Sequence, residues 1–344
     1  MWPYSRQDKP KQFQAIVGDE SSYQHNINIL LKEFSPEDIF ISTKQKFIKY
    51  VSEQSPQIPL RNYIVEPDIA RDRGPGEGLA FLKLAMTHPD EPFFLVQADC
   101  YRDPAQGFLD MIHEAEKLVT EHRQMITGGI KATEPNIGVD YLKLGKNVGG
   151  DAYTIDEFVY RKETMQETRE LIQGFNVVTH CNHMCWYPEL ILEAYKKYRP
   201  DWYDKLMEIK EVIDKPGEHE AIERIYAEMG KGPTEEVTNH IMDSGEAVVM
   251  LLPYKWTDFG TWGSVYDFFA GADENYEDGN VVTVDTSSSL IKSSSKTKLI
   301  AVAGVKDLII VDTEDALLIV PKDQIDKIKH IQTTLAERGS TEYL

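Results

Sequence analysis

Phe93-Phe94-Leu95-Val96-Gln97-Ala98-Asp99 is the stretch on which the fold turns. Six residues without a charge read as a buried strand, and a carboxylate closes it. Working outward, Phe108 to Glu121 carries Phe108, Met111, Ile112, Ala115, Leu118 and Val119 at helical spacing, and Gln124 to Ile130 reads as another strand. Upstream, Ile39 to Ser42 is a short strand. Apolar strands alternating with amphipathic helices predict a Rossmann-like α/β domain with a mostly parallel sheet covered on both faces. In such sheets ligands gather at the carboxyl ends of the strands. Residues 188 to 231 are helical in pattern, and Pro216-Gly217 divides them.

From Gly279 the texture changes. Short runs such as Val281 to Val284, Leu299 to Val302, Leu308 to Val311 and Leu317 to Val320 follow one another between small residues and turn formers. Val284-Asp285-Thr286 returns as Val311-Asp312-Thr313, which predicts stacked strands in a small β domain closed by a helix over Asp323 to Glu337. The boundary is expected within residues 271 to 279, giving domains 1–274 and 275–344.

The bulk properties exclude several classes. With 344 residues and a formal net charge of −20, the chain lacks the basic excess of a nucleic-acid binder. It has no apolar run long enough for a membrane span and no signal-peptide core. Three cysteines give no disulfide framework, which places the chain in a reducing cytoplasm.

Three clusters carry chemistry. Asp99 sits where an open α/β sheet presents ligands and is a natural Mg2+ position; taken alone, a loop cap for the next helix is the favoured reading. Trp256-Thr257-Asp258-Phe259-Gly260-Thr261-Trp262 sets two indoles around one Asp and one Gly. A Trp-rich core corner explains the indoles but not the Asp, and the Gly permits a tight turn or close approach. Arg6, Lys9 and Lys11 form a basic group in an acidic chain, either a solvated terminus or charge compensation for a polyphosphate.

Read in order, these segments resemble the mannose-1-phosphate guanylyltransferases (GDP-mannose pyrophosphorylases). The likeness begins at Trp2-Pro3-x-Ser5-Arg6 and Pro10-Lys11-Gln12-Phe13. It continues through Glu66-Pro67-x-x-Ala70-Arg71-Asp72-x-x-Pro75, Gln97-Ala98-Asp99, Gly129-Ile130-Lys131-Ala132-Thr133-x-Pro135 and Gly138-x-x-Tyr141-Leu142. It ends with Trp256-x-Asp258-x-Gly260-x-Trp262 and the β segment Gly304 to Lys322.

The resemblance implies a nucleotidyltransferase that makes GDP-mannose and pyrophosphate from GTP and mannose 1-phosphate, with a left-handed β-helix-like tail. It makes Asp99 and Asp258 the Mg2+ ligands and Lys11 a phosphate contact. Arg6, Arg71, Gly138, Arg161 and Asn182 follow as substrate-binding residues. Two other readings stay open: a nucleotidyltransferase for another sugar 1-phosphate, or a catalytically silent nucleotide- or sugar-binding chain. The tail fits either a homodimer surface or packing on the main domain.

The chain departs from the family pattern in four places. The family opens with a strand and a Gly-rich loop just before Trp-Pro. That segment is expected upstream of Met1, through a start codon assigned too late; a fragment or a chain without the phosphate cradle are the other readings. Phe158-Val159-Tyr160-Arg161-Lys162 stands where the family has Phe-Val-Glu-Lys-Pro, leaving Arg161 or Lys162 for the sugar's phosphate. Cys181-Asn182-His183-Met184 replaces Asn-Ser-Gly. Cys181, His183 and Cys185 would share a strand face, but three ligands on a flat strand suit tetrahedral zinc poorly, so buried thiols in a cleft wall is the favoured reading. Glu236-Val237-Thr238-Asn239 replaces a Ser-Ile-Asp-Tyr type segment. Three of the four departures lie on the sugar side.

Overall fold

The computed structural model describes every residue except Gln7 and Ala272. Ala272, inside the expected boundary stretch, lies outside the described residues. In chain order the first half holds α1 (Ser22–Leu30), β1 (Ile41–Lys44), α2 (Ile48–Gln54), β2 (Tyr63–Glu66), α3 (Arg73–Thr87), β3 (Phe93–Leu95), β4 (Tyr101–Asp103), α4 (Ala105–His122) and β5 (Met125–Lys131). Then come β6 (Tyr141–Gly149), β7 (Ala152–Val159), α5 (Met165–Gly174), β8 (Val177–His180), β9 (Met184–Trp186), α6 (Pro188–Tyr198), α7 (Pro200–Lys210), α8 (Glu218–Glu228), α9 (Glu235–Asp243), β10 (Ala247–Leu251), β11 (Lys255–Thr257) and α10 (Trp262–Phe269). The tail holds β12 (Tyr276–Asp278), β13 (Val281–Val284), β14 (Leu290–Ser293), β15 (Ile300–Ala303), β16 (Leu308–Asp312), β17 (Leu317–Pro321) and α11 (Lys327–Glu337).

Contacts divide the chain into two compact units. One is residues 1–32, 98–103 and 255–344; the other is 33–97 and 104–254. Compactness thus groups the N-terminal loop and the Trp256 to Trp262 segment with the tail, whereas sequence texture divides the chain at residue 274.

The larger unit is built on a seven-stranded sheet in the order β10-β7-β6-β8-β5-β9-β3. The α/β class is as expected, but the sheet is not mostly parallel. Only β5 and β10 run parallel in it among the described residues, and the other pairs are antiparallel. The connections give the reason: β6 and β7 are joined through Gly149-Gly150, both at positive φ, and so short a link permits only an antiparallel partner. Parallel pairing is otherwise found in the separate β1–β2 pair. The amphipathic face predicted for α4 is buried through Phe108, Met111, Ile112, Ala115, Leu118 and Val119. Pro216-Gly217 separates α7 from α8 as expected.

The smaller unit contains the stacked strands. β12, β14 and β16 pair in parallel, β17 closes that sheet antiparallel, and β13 pairs with β15 in parallel. Ile291, Val302 and Ile310 fill the space between the two sheets. The opposite side of the four-stranded sheet presents Leu290, Ile309, Val311, Leu318 and Val320 to a second cluster, which also holds Trp2, Ile16, Phe259, Trp262 and Val265. Trp262 is fully buried, its indole N–H donating to the Trp2 carbonyl at 2.9 Å and its ring meeting Tyr4 edge-on. Trp262→Ala is expected to cost about 3–5 kcal/mol of stability, the range for emptying a buried aromatic site. A denaturant titration checks this, with the midpoint falling at unchanged slope.

Candidate active site

The site is assembled from three loops of the smaller unit, and the backbone fixes each. Strands β4 and β11 form a two-stranded antiparallel ladder with Tyr101 opposite Thr257 and Arg102 opposite Trp256. Continuing that register by one step sets Asp258 beside Cys100, next to Asp99. Two aspartates far apart in sequence thus converge because a three-residue ladder aligns the turns that precede and follow it. Asp99 itself lies in a turn, four residues past the end of β3, rather than at the strand terminus expected from the sequence.

Asp258 is exposed and its loop is tightly wound. Its Oδ1 accepts the Gly260 N–H at 3.0 Å, and Phe259 adopts positive φ while its ring is buried. A Cβ at position 260 would stand 3.3 Å from Asp258 Oδ1, so a larger residue there would crowd the carboxylate and shift it by a few tenths of an ångström. Thr261 then caps α10 reciprocally with Ser264, which stops the loop at a fixed residue.

Lys11 supplies the third part. It begins a short turn whose Phe13 is buried and meets Tyr23 of α1 edge-on. From there the Lys11 ammonium reaches Asp99 Oδ2 at 2.9 Å and donates to the Asp258 carbonyl at 2.6 Å. Oxygens from both aspartates therefore converge on one cation. The Cys100 thiol beneath them is pushed up to about 12, by burial first and by Asp99 and Asp258 after it, against the opposing charges of Arg102 and Lys11.

Arg6 is engaged elsewhere in this unit. Its two terminal nitrogens each reach Asp315 at 2.7 Å, Nη1 also donates to the Glu342 carbonyl, and Nε donates to the Pro3 carbonyl. The guanidinium joins the N-terminal loop to the tail, and of the two cations only Lys11 reaches the aspartates.

The remaining predicted residues belong to the larger unit. Arg71 donates through Nη2 to the Ala227 carbonyl, and its Nε is buried with no hydrogen-bond partner among the described residues. Gly138 lies in an exposed loop, its N–H bonded to Asn136 Oδ1 at 2.8 Å. Arg161 is tied through its backbone N–H, Nε and Nη2 to Asp140, which neutralises it; Lys162 next to it has no ion-pair partner among the described residues. Tyr160 is 58 % exposed and rests on Phe158. Asn182 is exposed at positive φ between β8 and β9, a conformation Asn tolerates better than most residues.

No group of three or more His, Cys, Asp or Glu among the described residues is placed to hold a metal ion. Within the run from Cys181 to Cys185, the buried side chains make contacts inside the protein. His183 is buried, with one ring nitrogen on the Cys181 carbonyl and the other on the Tyr254 hydroxyl, both at 2.8 Å. Sequence reasoning missed this histidine–tyrosine pair, and also the three-residue strand β4; neither has a periodic signal.

His180 sits beside it, its Nε2 3.0 Å from Thr127 Oγ1. Burial pushes its imidazole down to about 4, outweighing the nearby Asp140 charge. Below its ordinary value of 6.5 the unfolded chain takes up a proton that the folded chain refuses. This group's contribution therefore lowers stability as pH falls from 6.5 towards 4, at most about 1.4 kcal/mol per pH unit. His180→Gln is expected to flatten that part of the curve, read from urea midpoints at successive pH values.

Comparison with known proteins adds three findings. Residues 279–335 match the family model described as the MannoseP isomerase/GMP-like beta-helix domain. Along its length the chain is 27% identical to a mannose-1-phosphate guanylyltransferase of Salmonella muenchen, covering 100% of this chain and 72% of that one. It is also 25% identical to the alginate biosynthesis protein AlgA of Pseudomonas aeruginosa, covering 99% and 71%. Its fold matches a solved structure described as a mannose-1-phosphate geranyltransferase of Thermus thermophilus, with a TM-score of 0.84 at 20% identity over 98% of this chain and 95% of that one. The resemblance read from the motifs holds along the whole chain.

Proposed function

We infer that this chain, related along its length to the mannose-1-phosphate guanylyltransferases, is a nucleotidyltransferase that makes GDP-mannose and pyrophosphate from GTP and mannose 1-phosphate. The observation that carries the reading is the meeting of Lys11, Asp99 and Asp258 at one point of the smaller unit.

The reaction joins a sugar-phosphate oxygen to the α-phosphorus of GTP and breaks the bond to pyrophosphate. It needs no covalent enzyme intermediate, so positioning and charge neutralisation account for most of the rate. Two carboxylates together with substrate phosphates are the usual way a protein holds Mg2+. The fit is supported by Asp99 Oδ2 and the Asp258 backbone carbonyl, which meet at one ammonium group, with the Asp258 carboxylate on the same residue. Asp99 and Asp258 are the residues proposed to hold it; when bound, Mg2+ offsets negative charge on the attacked phosphate and its neighbours. The Gly260 N–H orients the Asp258 carboxylate, and Lys11 orients that of Asp99, before any substrate arrives. With substrate present, Lys11 serves as a point charge to the phosphates.

On the sugar side, Asn182 and Gly138 are proposed hydroxyl and backbone contacts, with Arg71 for the nucleotide. Arg161 is spent on Asp140, so Lys162 beside it is the better placed cation for the sugar's phosphate. A homodimer is part of the proposal. It is supported by Val282 and Val284, both at least half exposed and set opposite exposed Ala301 and Ala303 on the outer side of β13 and β15. A cytoplasmic setting is proposed from the three cysteines, none in a disulfide; no described helix is long and apolar enough to cross a membrane.

Pyrophosphate release from GTP plus mannose 1-phosphate with Mg2+ is the direct test. Asp258→Asn is expected to fold normally and to lose about two orders of magnitude or more in turnover, the scale of removing a preorganised electrostatic partner. Normal turnover in a folded Asp258→Asn variant would defeat the metal assignment.

A further inference from the structure

The turn that bears Asp99 is held from behind by one side chain that no motif singled out. Asn26 lies on the buried face of α1 and is only 3 % exposed. Its Nδ2 carries two N–H groups, which reach the Cys100 carbonyl and the Ser22 carbonyl of its own helix, both at 2.8 Å, with the Ala98 carbonyl at 3.4 Å as a weaker, shared contact. The two distant carbonyls are those immediately before and after Asp99. Its Oδ1 accepts from Arg102 Nη1 at 2.5 Å, and Arg102 is 1 % exposed. A cation on one side and three carbonyls on the other allow a single orientation of the amide. The buried guanidinium also polarises it, which strengthens the N–H bonds to the turn.

We propose that Asn26 is a positioning residue for Asp99, gripping the peptide carbonyls on both sides of it so that the carboxylate is presented in one fixed place. Packing alone does not account for an asparagine here. Mid-helix Asn competes for backbone hydrogen bonds and is a weaker helix former than Leu or Ala. An apolar residue would fill the space but leave the carbonyls that flank Asp99 without this donor. The clamp also acts on the second aspartate. Cys100 leads directly into β4, and the β4–β11 register carries its position across to Thr257 and Asp258. One amide thereby fixes the start of the ladder on which both aspartates depend.

The proposal rests on Asp99 being a working group of the nucleotidyl transfer, and the experiment separates the two claims. Asn26→Asp keeps the acceptor for Arg102 and removes the donors, placing oxygen against the carbonyls. Local loosening is read without catalysis, through alkylation by iodoacetamide at about pH 8 with each cysteine followed by mass spectrometry. Cys100 is expected to react about tenfold faster or more, since its protection comes from burial in this turn. Cys181 and Cys185, in the other unit, are expected to stay protected. In the same preparation kcat falls by about one to two orders of magnitude and the half-activating Mg2+ concentration rises, while KM for mannose 1-phosphate holds. Should Asn26→Asp fail to fold, Asn26→Ser, which retains one donor, is expected to shift both readouts in the same direction by less. Faster alkylation of all three cysteines, or no change at Cys100 and in the Mg2+ requirement while Asp99→Asn is inactive, would overturn the positioning role. Full turnover in Asp99→Asn would remove the functional reading and this inference with it.

Discussion

The burial of Trp262 against the N-terminal loop is the constraint on which the smaller unit depends. The indole follows Asp258 by four residues and bonds the Trp2 carbonyl; the Trp2 indole in turn donates to the Tyr343 carbonyl at 2.7 Å. Both ends of the chain and the aspartate loop are thereby held to one apolar cluster with the tail strands. The magnitudes show which contact is cause and which is consequence. Fully burying one aromatic side chain contributes about 1.5–3 kcal/mol, while a partly exposed ion pair contributes about 1 kcal/mol or less. Lys11 and Asp99 are both partly exposed, so their pair does not hold the loops together. The loops are fixed by the tryptophans, and the ion pair forms because they are.

Within that frame the aspartates are set by backbone more than by side chains. The β4–β11 ladder decides their proximity, and the Gly260 N–H decides where one carboxylate points. Asp258 has one oxygen on the Gly260 N–H, while Asp99 takes Lys11 on Oδ2 and the weak Cys100 thiol donor on Oδ1 at 3.7 Å. A carboxylate accepts about four hydrogen bonds, so both keep capacity for a ligand after they have been oriented. In a chain of net charge −20 such orientation is needed, because unrestrained carboxylates would turn away from each other.

Much of this was legible in the sequence where it rested on periodicity or on dense local chemistry. The apolar spacing of α4, the break between α7 and α8, and the β-branched runs of the tail each forecast an element within a few residues. Trp256 to Trp262 announced a rigid corner around an aspartate. What was not legible depended on pairing between distant segments. Sheet direction follows from connection lengths and partner choice, and β4 is too short to show a pattern. The fate of Arg6 was hidden for the same reason: a basic residue near a basic neighbour reads as a phosphate ligand until its partner, Asp315, is brought beside it by the fold.

The same distinction bears on one of the departures from the family pattern, that at residues 160 to 162; the departures at 181 to 184 and 236 to 239 include buried residues. Asp258, Gly260 and Trp262 answer to one another through a turn, a cap and a buried indole, so a change at one disturbs the others. Tyr160, Arg161 and Asn182 stand on exposed loops of the larger unit, where a substitution alters a contact without unseating a core residue. The exchange at residues 160 to 162 illustrates it. A tyrosine meets Phe158 edge-on, and an arginine is balanced by Asp140. The backbone there needs no repair, because none of those side chains supports it. A substitution at residues 160 to 162 therefore costs little structure, whereas the aspartate loop is bound to the packing of the unit that contains it.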